Sequence, residues 1–350
     1  MVVTLCAHGQ YGYNVAVLPA PTEYMLDFYN QSYTSRYGEI SESTLDWLWA
    51  LTAASFAVGG AIGSISAPTC SEILGRKLSL LLMNVFSISA GLMFGASINA
   101  DNFELVIMGR VIIGFYCGEQ SGVCVAMSIV PLFLSEISPN EYRGIVGAGQ
   151  KINLAVGIVL AQCIGIFWLN TEDTWNILLA LTAVFSILHL VFFPPCPESP
   201  RWSIISDRDE KNATYAIRKY IGKSAIQRTV NEIVVEHREV LQEDPVGYIA
   251  LFKTKEYRLP LLICATVMSS VQFCGLPAIY QYAASVFEMI WPNNPDAVDY
   301  GIVGMGLTEL VASVLAVFLI DRYGRRPLLL YSQASMVVFN GILTLSLNLS

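Results

Sequence analysis

Two charged residues stand inside long apolar runs, and their chemistry has to be explained first. Lys151 lies in GQKINLAVGIVLAQ, 149–162, and Glu309 lies in GLTELVASVLAVFLID, 306–321. A lone charge at the centre of a bilayer costs roughly 3 kcal/mol or more. A base and an acid on facing helices can lower that cost by pairing with each other. Alternatively, Lys151 can serve as counter-charge to a bound anion. Lys151 is eight residues past Arg143, a rise of ~12 Å along a helix. Glu309 is twelve residues before Asp321, ~18 Å on the same measure. Both depths fall near the middle of a ~30 Å hydrocarbon core. Glu119, in FYCGEQSG nine residues past Arg110, is a rival acidic partner, and Ser121 marks another polar position of that run.

The elements that must carry these residues are membrane helices. Of the 350 residues, 54% are hydrophobic and 14% charged, against about 25% charged in a soluble domain. The mean hydropathy is +0.52. Apolar runs long enough to cross a bilayer as helix fall at 3–22, 44–69, 78–99, 104–135, 144–168, 174–195, 258–290, 300–320 and 327–349. The chain is therefore expected to be an all-α polytopic membrane protein with nine spans. The first run has no basic region before it and runs past Pro19, so no cleavable signal is expected. Alternating loops put 17 of the 20 basic residues on one side. The positive-inside rule makes that side cytoplasmic, with the N-terminus inside and the C-terminus outside. The net charge of −8 says little about partners, because the topology separates the charges. The bilayer is the one partner that the composition requires.

Three segments follow: a first six-helix bundle at 1–200, a polar helical linker at 201–257, and part of a second bundle at 258–350. The linker carries helical spacing in KNATYAIRKYIG and NEIVVEHREVLQ. The eight cysteines lie in spans or at their ends, which predicts packing rather than an extracellular disulfide framework. No zinc spacing, phosphate loop, HExxH or nucleophile elbow occurs. Nothing calls for an enzyme, a cofactor, a metal or a nucleic-acid partner.

The inside loops repeat a pattern, LGRK at 74–77 and YGRRP at 323–327, as expected of duplicated halves. ILGRK, GRVIIGFYCG, SEISPNEYRG, VGIVLAQ, CPESPRW and DRYGRRP follow in order and spacing. On these motifs the whole chain resembles the facilitative sugar transporters of the major facilitator superfamily. FYNQSYTSRYGE resembles the glycosylated first outer loop of the animal glucose and fructose carriers. The resemblance implies a two-bundle, twelve-span carrier moving a hexose by alternating access, of which three spans beyond Ser350 are missing.

It also assigns residues. Glu136, Arg143, Glu198, Arg201, Asp321, Arg325 and Arg326 stand at cytoplasmic helix ends, where ion pairs hold the inside face shut. The resemblance itself gives Glu136, Arg143 and Arg325 this latching role. The alternative is an ordinary positive-inside boundary at the lipid headgroups. Hexose hydroxyls need neutral donors and acceptors, and aromatic rings cover the apolar sugar face. VQFCGLPAIYQY, 271–282, supplies Gln272, Tyr280, Gln281 and Tyr282. Here Val271 and Pro277 replace a glutamine and an asparagine of the family pattern, and Gln281 stands where tyrosine is common. Pro277 is expected either to break this span or to kink it. Lys151 takes the place of a sugar-binding glutamine, with Gln150 one residue earlier and about 100° away. Glu309 replaces an asparagine, so the simplest expectation is a Lys151–Glu309 pair across the seam between bundles.

Further features complete the reading. Span four is about six residues longer than the family pattern. It therefore either contains a bulge or break, or retains a segment that the working protein lacks. Asn30 in NQS is an outside sequon expected to be glycosylated, whereas Asn212 in NAT is on the inside. His8 is expected to be a packed or hydrogen-bonded residue rather than a proton carrier. Two alternatives to hexose transport stay open: a diverged relative that binds without cycling, and a carrier of an organic anion.

Overall fold

The computed structural model describes residues 5–117, 125–139, 143–169, 171–207, 209–242, 254–273, 275–292 and 294–349. The described residues are helical and contain no strand. Six of the expected spans are matched by helices long and apolar enough to cross a membrane. These are α3 (Glu42–Ile73), α4 (Arg76–Ala96), α7 (Arg143–Trp168), the pair α8 (Trp175–Ala180) and α9 (Thr182–Phe192), α16 (Pro295–Tyr323) and α17 (Arg325–Leu349).

The first and seventh spans depart from single α-helices. The first is a π-helical turn, Leu5–Gly9, running into α1 (Gln10–Ala16). Of the fourth, the structure describes α5 (Phe103–Cys117) and α6 (Val125–Ile137); residues 118–124 lie outside the described residues, and with them the expected bulge or break of the over-long run 104–135. Glu119 and Ser121 fall outside the described residues. The seventh comprises α13 (Lys255–Phe273), α14 (Leu276–Gln281) and α15 (Ala283–Ile290). Its break lies at Gly275, whose φ is +78°, a conformation that costs glycine little. Pro277 sits in the first turn of α14, where a missing N–H is tolerated.

The 22–43 segment, expected as an outer loop, holds a docked helix, α2 (Thr22–Tyr37). Ser32 Oγ donates to the Asp101 carbonyl at 2.8 Å, and the Tyr29 and Thr52 hydroxyls lie 2.9 Å apart. The Phe28 and Trp175 rings lie 5.3 Å apart. These contacts turn an apparently polar loop into a cover over the bundle end.

Glycines set how closely the first bundle packs. A methyl at Gly157 of α7 would lie 1.9 Å from the Gly9 carbonyl, and one at Gly114 of α5 would lie 2.1 Å from the Phe56 carbonyl. Only residues without a side chain allow backbones to approach so closely in an apolar medium, where packing replaces the hydrophobic effect as the association force. The two repeated loops share a backbone conformation. Gly75 has φ +83° and ψ 170°, and Gly324 has φ +81° and ψ 165°. The linker is helical as expected, with α10 (Pro200–Ile205), α11 (Glu210–Tyr220) and α12 (Ile226–Gln242). Ser199 and Asp209 cap α10 and α11. An Arg201–Glu236 ion pair of 2.8 Å ties α10 to α12.

Candidate functional site

At one end of the first bundle, the expected latch residues form a cluster with a different partner. Glu136 on α6 accepts from Arg76 at both oxygens, at 3.1 and 2.9 Å, and also from Ser199 Oγ. The Arg76 and Glu136 side chains are 13% and 4% exposed, so this is a desolvated two-pronged pair. Glu198 takes the backbone N–H of Lys77 at 3.0 and 2.9 Å and that of Ser199 at 2.8 Å. It therefore caps the start of α4, where the helix dipole favours an anion. Burial pushes its carboxyl above the ordinary value, against the pull of those N–H groups and of the Arg76 charge. Trp202 Nε1 donates to the Glu72 carbonyl at 2.9 Å. Arg326 is exposed, and the side chains of Arg143, Asp321 and Arg325 lie outside the description. The described contacts of Glu136 and Glu198 hold α4, α6 and the start of α10 together, and that of Arg201 lies within the linker; these contacts do not bridge the two halves.

The seam between the halves is built by α7 against α16 and α1 against α14. Tyr280 of α14 is buried and donates its hydroxyl to Glu309 of α16. The expected Lys151–Glu309 ion pair is absent: Lys151 is exposed and Glu309 is taken by Tyr280. A tyrosine close by in chain and space satisfies the acid without bringing a second charge across the seam. Gln150 is half-buried, and it and Lys151 both lie within electrostatic reach of His8. His8 is buried, with Nδ1 unpartnered. Gln281 is half-buried with its Oε1 unpartnered, and Tyr282 is exposed. The Gln272 side chain lies outside the description.

Sequence reasoning missed a polar network inside the first bundle. Gln10 donates to Ser87 Oγ at 2.5 Å and to Thr182, and Asn14 donates to Thr182 Oγ1 at 2.7 Å. Ser186 donates to Ser87 at 2.6 Å. Tyr116 donates to Asn84, whose amide meets His189 Nδ1 at 3.2 Å. Arg110 is fully buried. It donates to the Asn14 carbonyl at 3.0 Å and lies 4.7 Å from the centre of the Phe56 ring. A clue was available in the sequence: polar residues recur at 10 and 14, at 182 and 186, and at 84 and 87 inside apolar runs, all at helical spacing.

Broken helices, a glycine-packed bundle and a polar seam between two halves define a polytopic solute carrier. Residues 1–349 match the family model described as "Sugar (and other) transporter", and the chain belongs to that family, within the major facilitator superfamily. It is 35% identical over 342 residues to "Solute carrier family 2, facilitated glucose transporter member 3" of Gallus gallus, covering 97% of this chain and 67% of that protein. It is 38% identical over 326 residues to member 5 of the same family from Bos taurus, covering 92% and 63%. The chain thus spans about two thirds of the length of these curated relatives. Among solved structures it resembles the proton:xylose symporter XylE bound to 6-bromo-6-deoxy-D-glucose, with TM-score 0.76, 25% identity and coverage of 93% and 69%. The partially occluded inward-open xylose transporter XylE from E. coli gives TM-score 0.74 at 24% identity, covering 93% and 73%.

Proposed function

We propose that this protein carries a hexose, glucose or fructose, down its gradient by alternating access between its two halves. The observation that carries the reading is the seam. There α7 and α16, from different halves, pack together, and Tyr280 of α14 donates to Glu309 of α16. Gln150, Lys151, Gln272, Gln281 and Tyr282 belong to the same site on the resemblance. Amides and hydroxyls at this depth exchange water for sugar hydroxyls, while Tyr280 offers a ring to the apolar sugar face. The named glucose transporters among its relatives, and the halogenated glucose in a structure of the same fold, support a hexose as the solute. On the resemblance, Glu136, Arg143 and Arg325 form the cytoplasmic gate, with Glu198, Arg201, Asp321 and Arg326 at the same helix ends. The protein works in the plasma membrane with its N-terminus and linker in the cytoplasm, and Asn30 carries a glycan. The test is uptake of labelled D-glucose and D-fructose into cells that lack hexose carriers, with L-glucose as control. Saturable, stereoselective uptake is expected. Its absence from correctly inserted protein, or competition by organic anions but not by hexoses, would overturn the reading.

A further inference from the structure

The seam contains one group that the proposed sugar site does not use. Gln162 on α7 is 1% exposed, and neither its Nε2 nor its Oε1 has a hydrogen-bond partner. It is pressed against the backbone of α16: a methyl at Gly306 would lie 2.0 Å from Gln162 Oε1 and 3.3 Å from Ile158 Cγ2. Gln162 is eleven residues past Lys151, three helical turns, so it shares that residue's face of α7. Directly beyond it lies a cavity of about 350 Å³ between the halves, lined among others by Pro19, Ala20, Trp291 and Ile302. Gly165, one turn from Gln162, meets Ala20, and Ile302 is one turn from Gly306. The Gln162–Gly306 contact is therefore the layer beneath the cavity floor.

A carboxamide needs up to four hydrogen bonds, and one buried with none is costly compared with the same group in water. Parting α7 from α16 would connect Gln162 to the cavity and hydrate it. We infer that Gln162 is a positioning residue of the transport cycle: its unpartnered amide raises the energy of the shut seam and keeps this gate ready to open. Glycine at 306 suits the role, since it leaves room for the amide but supplies no side-chain partner. The inference rests on the alternating-access reading and adds to it what sets the balance of the gate.

The test reads the gate without sugar, so its failure leaves hexose transport standing, and a failure of uptake leaves it readable. Ile302 is 2% exposed on the cavity wall, so an Ile302→Cys thiol reports opening through its rate of labelling by a water-soluble maleimide. The full chain is reconstituted in nanodiscs, and labelling of the protein without the added cysteine is subtracted. Gln162→Met keeps the length and removes the amide, so it should slow labelling about tenfold. Gln162→Glu at pH 8 leaves a charge still harder to bury and should speed labelling severalfold. A merely structural role would loosen the seam in both variants and speed both. Unchanged rates, shifts of the same sign or the reverse order overturn the inference. If the glutamate variant does not fold, Gln162→Met decides alone: slower labelling supports the inference, and equal or faster labelling refutes it.

Discussion

Removing Arg76 should damage the first bundle more than removing Arg76 and Glu136 together. Glu136 is 4% exposed and Arg76 13%, so water screens their two-pronged contact poorly. With Arg76 gone, the Glu136 carboxylate keeps the Ser199 hydroxyl, a single neutral donor for a buried charge. Breaking such a pair from one side costs roughly 3–5 kcal/mol, whereas replacing both members with apolar side chains of similar volume is often close to neutral. Arg76→Met should therefore lower stability by about 3–5 kcal/mol, somewhat less if the boundary admits water. Glu136→Leu alone should cost less, because Arg76 also donates to the Ser71 carbonyl at 3.2 Å and can reach solvent. The double variant should recover at least about 2 kcal/mol of the summed losses. The assay is a double-mutant cycle on unfolding of the purified protein in mild detergent titrated with SDS, followed by tryptophan fluorescence. Additivity within about 0.5 kcal/mol would refute the argument that desolvation makes this pair a staple.

Three further outcomes are expected. Lys151→Gln and Glu309→Asn should have additive effects on stability, because Glu309 is held by Tyr280; Tyr280→Phe should show coupling to Glu309→Asn, and a strong Lys151–Glu309 coupling would restore the cross-seam pair. Glu198 has a raised folded pKa, so the native state binds its proton more tightly than the unfolded chain. Stability should fall as pH rises from the ordinary carboxylate range through the folded value, and Glu198→Gln should flatten that part of the curve; an unchanged slope in the variant would contradict it. Endoglycosidase should shift the wild-type band but not Asn30→Gln, and impermeant reagents added to intact cells should fail to label the linker; either opposite result reverses the proposed orientation.

The long spans were legible because a bilayer allows only one solution for twenty apolar residues, a helix that satisfies its own backbone. The loop repeat was legible too, since LGRK and YGRRP place glycine where the chain needs a positive φ. The breaks were harder to read. Composition is blind to a π-helical turn at Leu5–Gly9, and the seventh span breaks at Gly275, just ahead of Pro277, which has no N–H to bond Phe273 in a continuous helix. The docking of α2 escaped notice because FYNQSYTSRY is polar by residue type, yet Tyr29 and Ser32 find partners on α3 and at Asp101, far off in the chain. The same limit governed the charged residues. Residue count along a helix gave Lys151 and Glu309 their expected places at mid-span and Glu136 its place at a helix end. Partner choice depends on how helices rotate and cross, which is set by glycine contacts such as Gly9–Gly157. Only the packed structure could therefore give Glu309 to Tyr280 and Glu136 to Arg76, and leave Gln162 against a glycine with no partner.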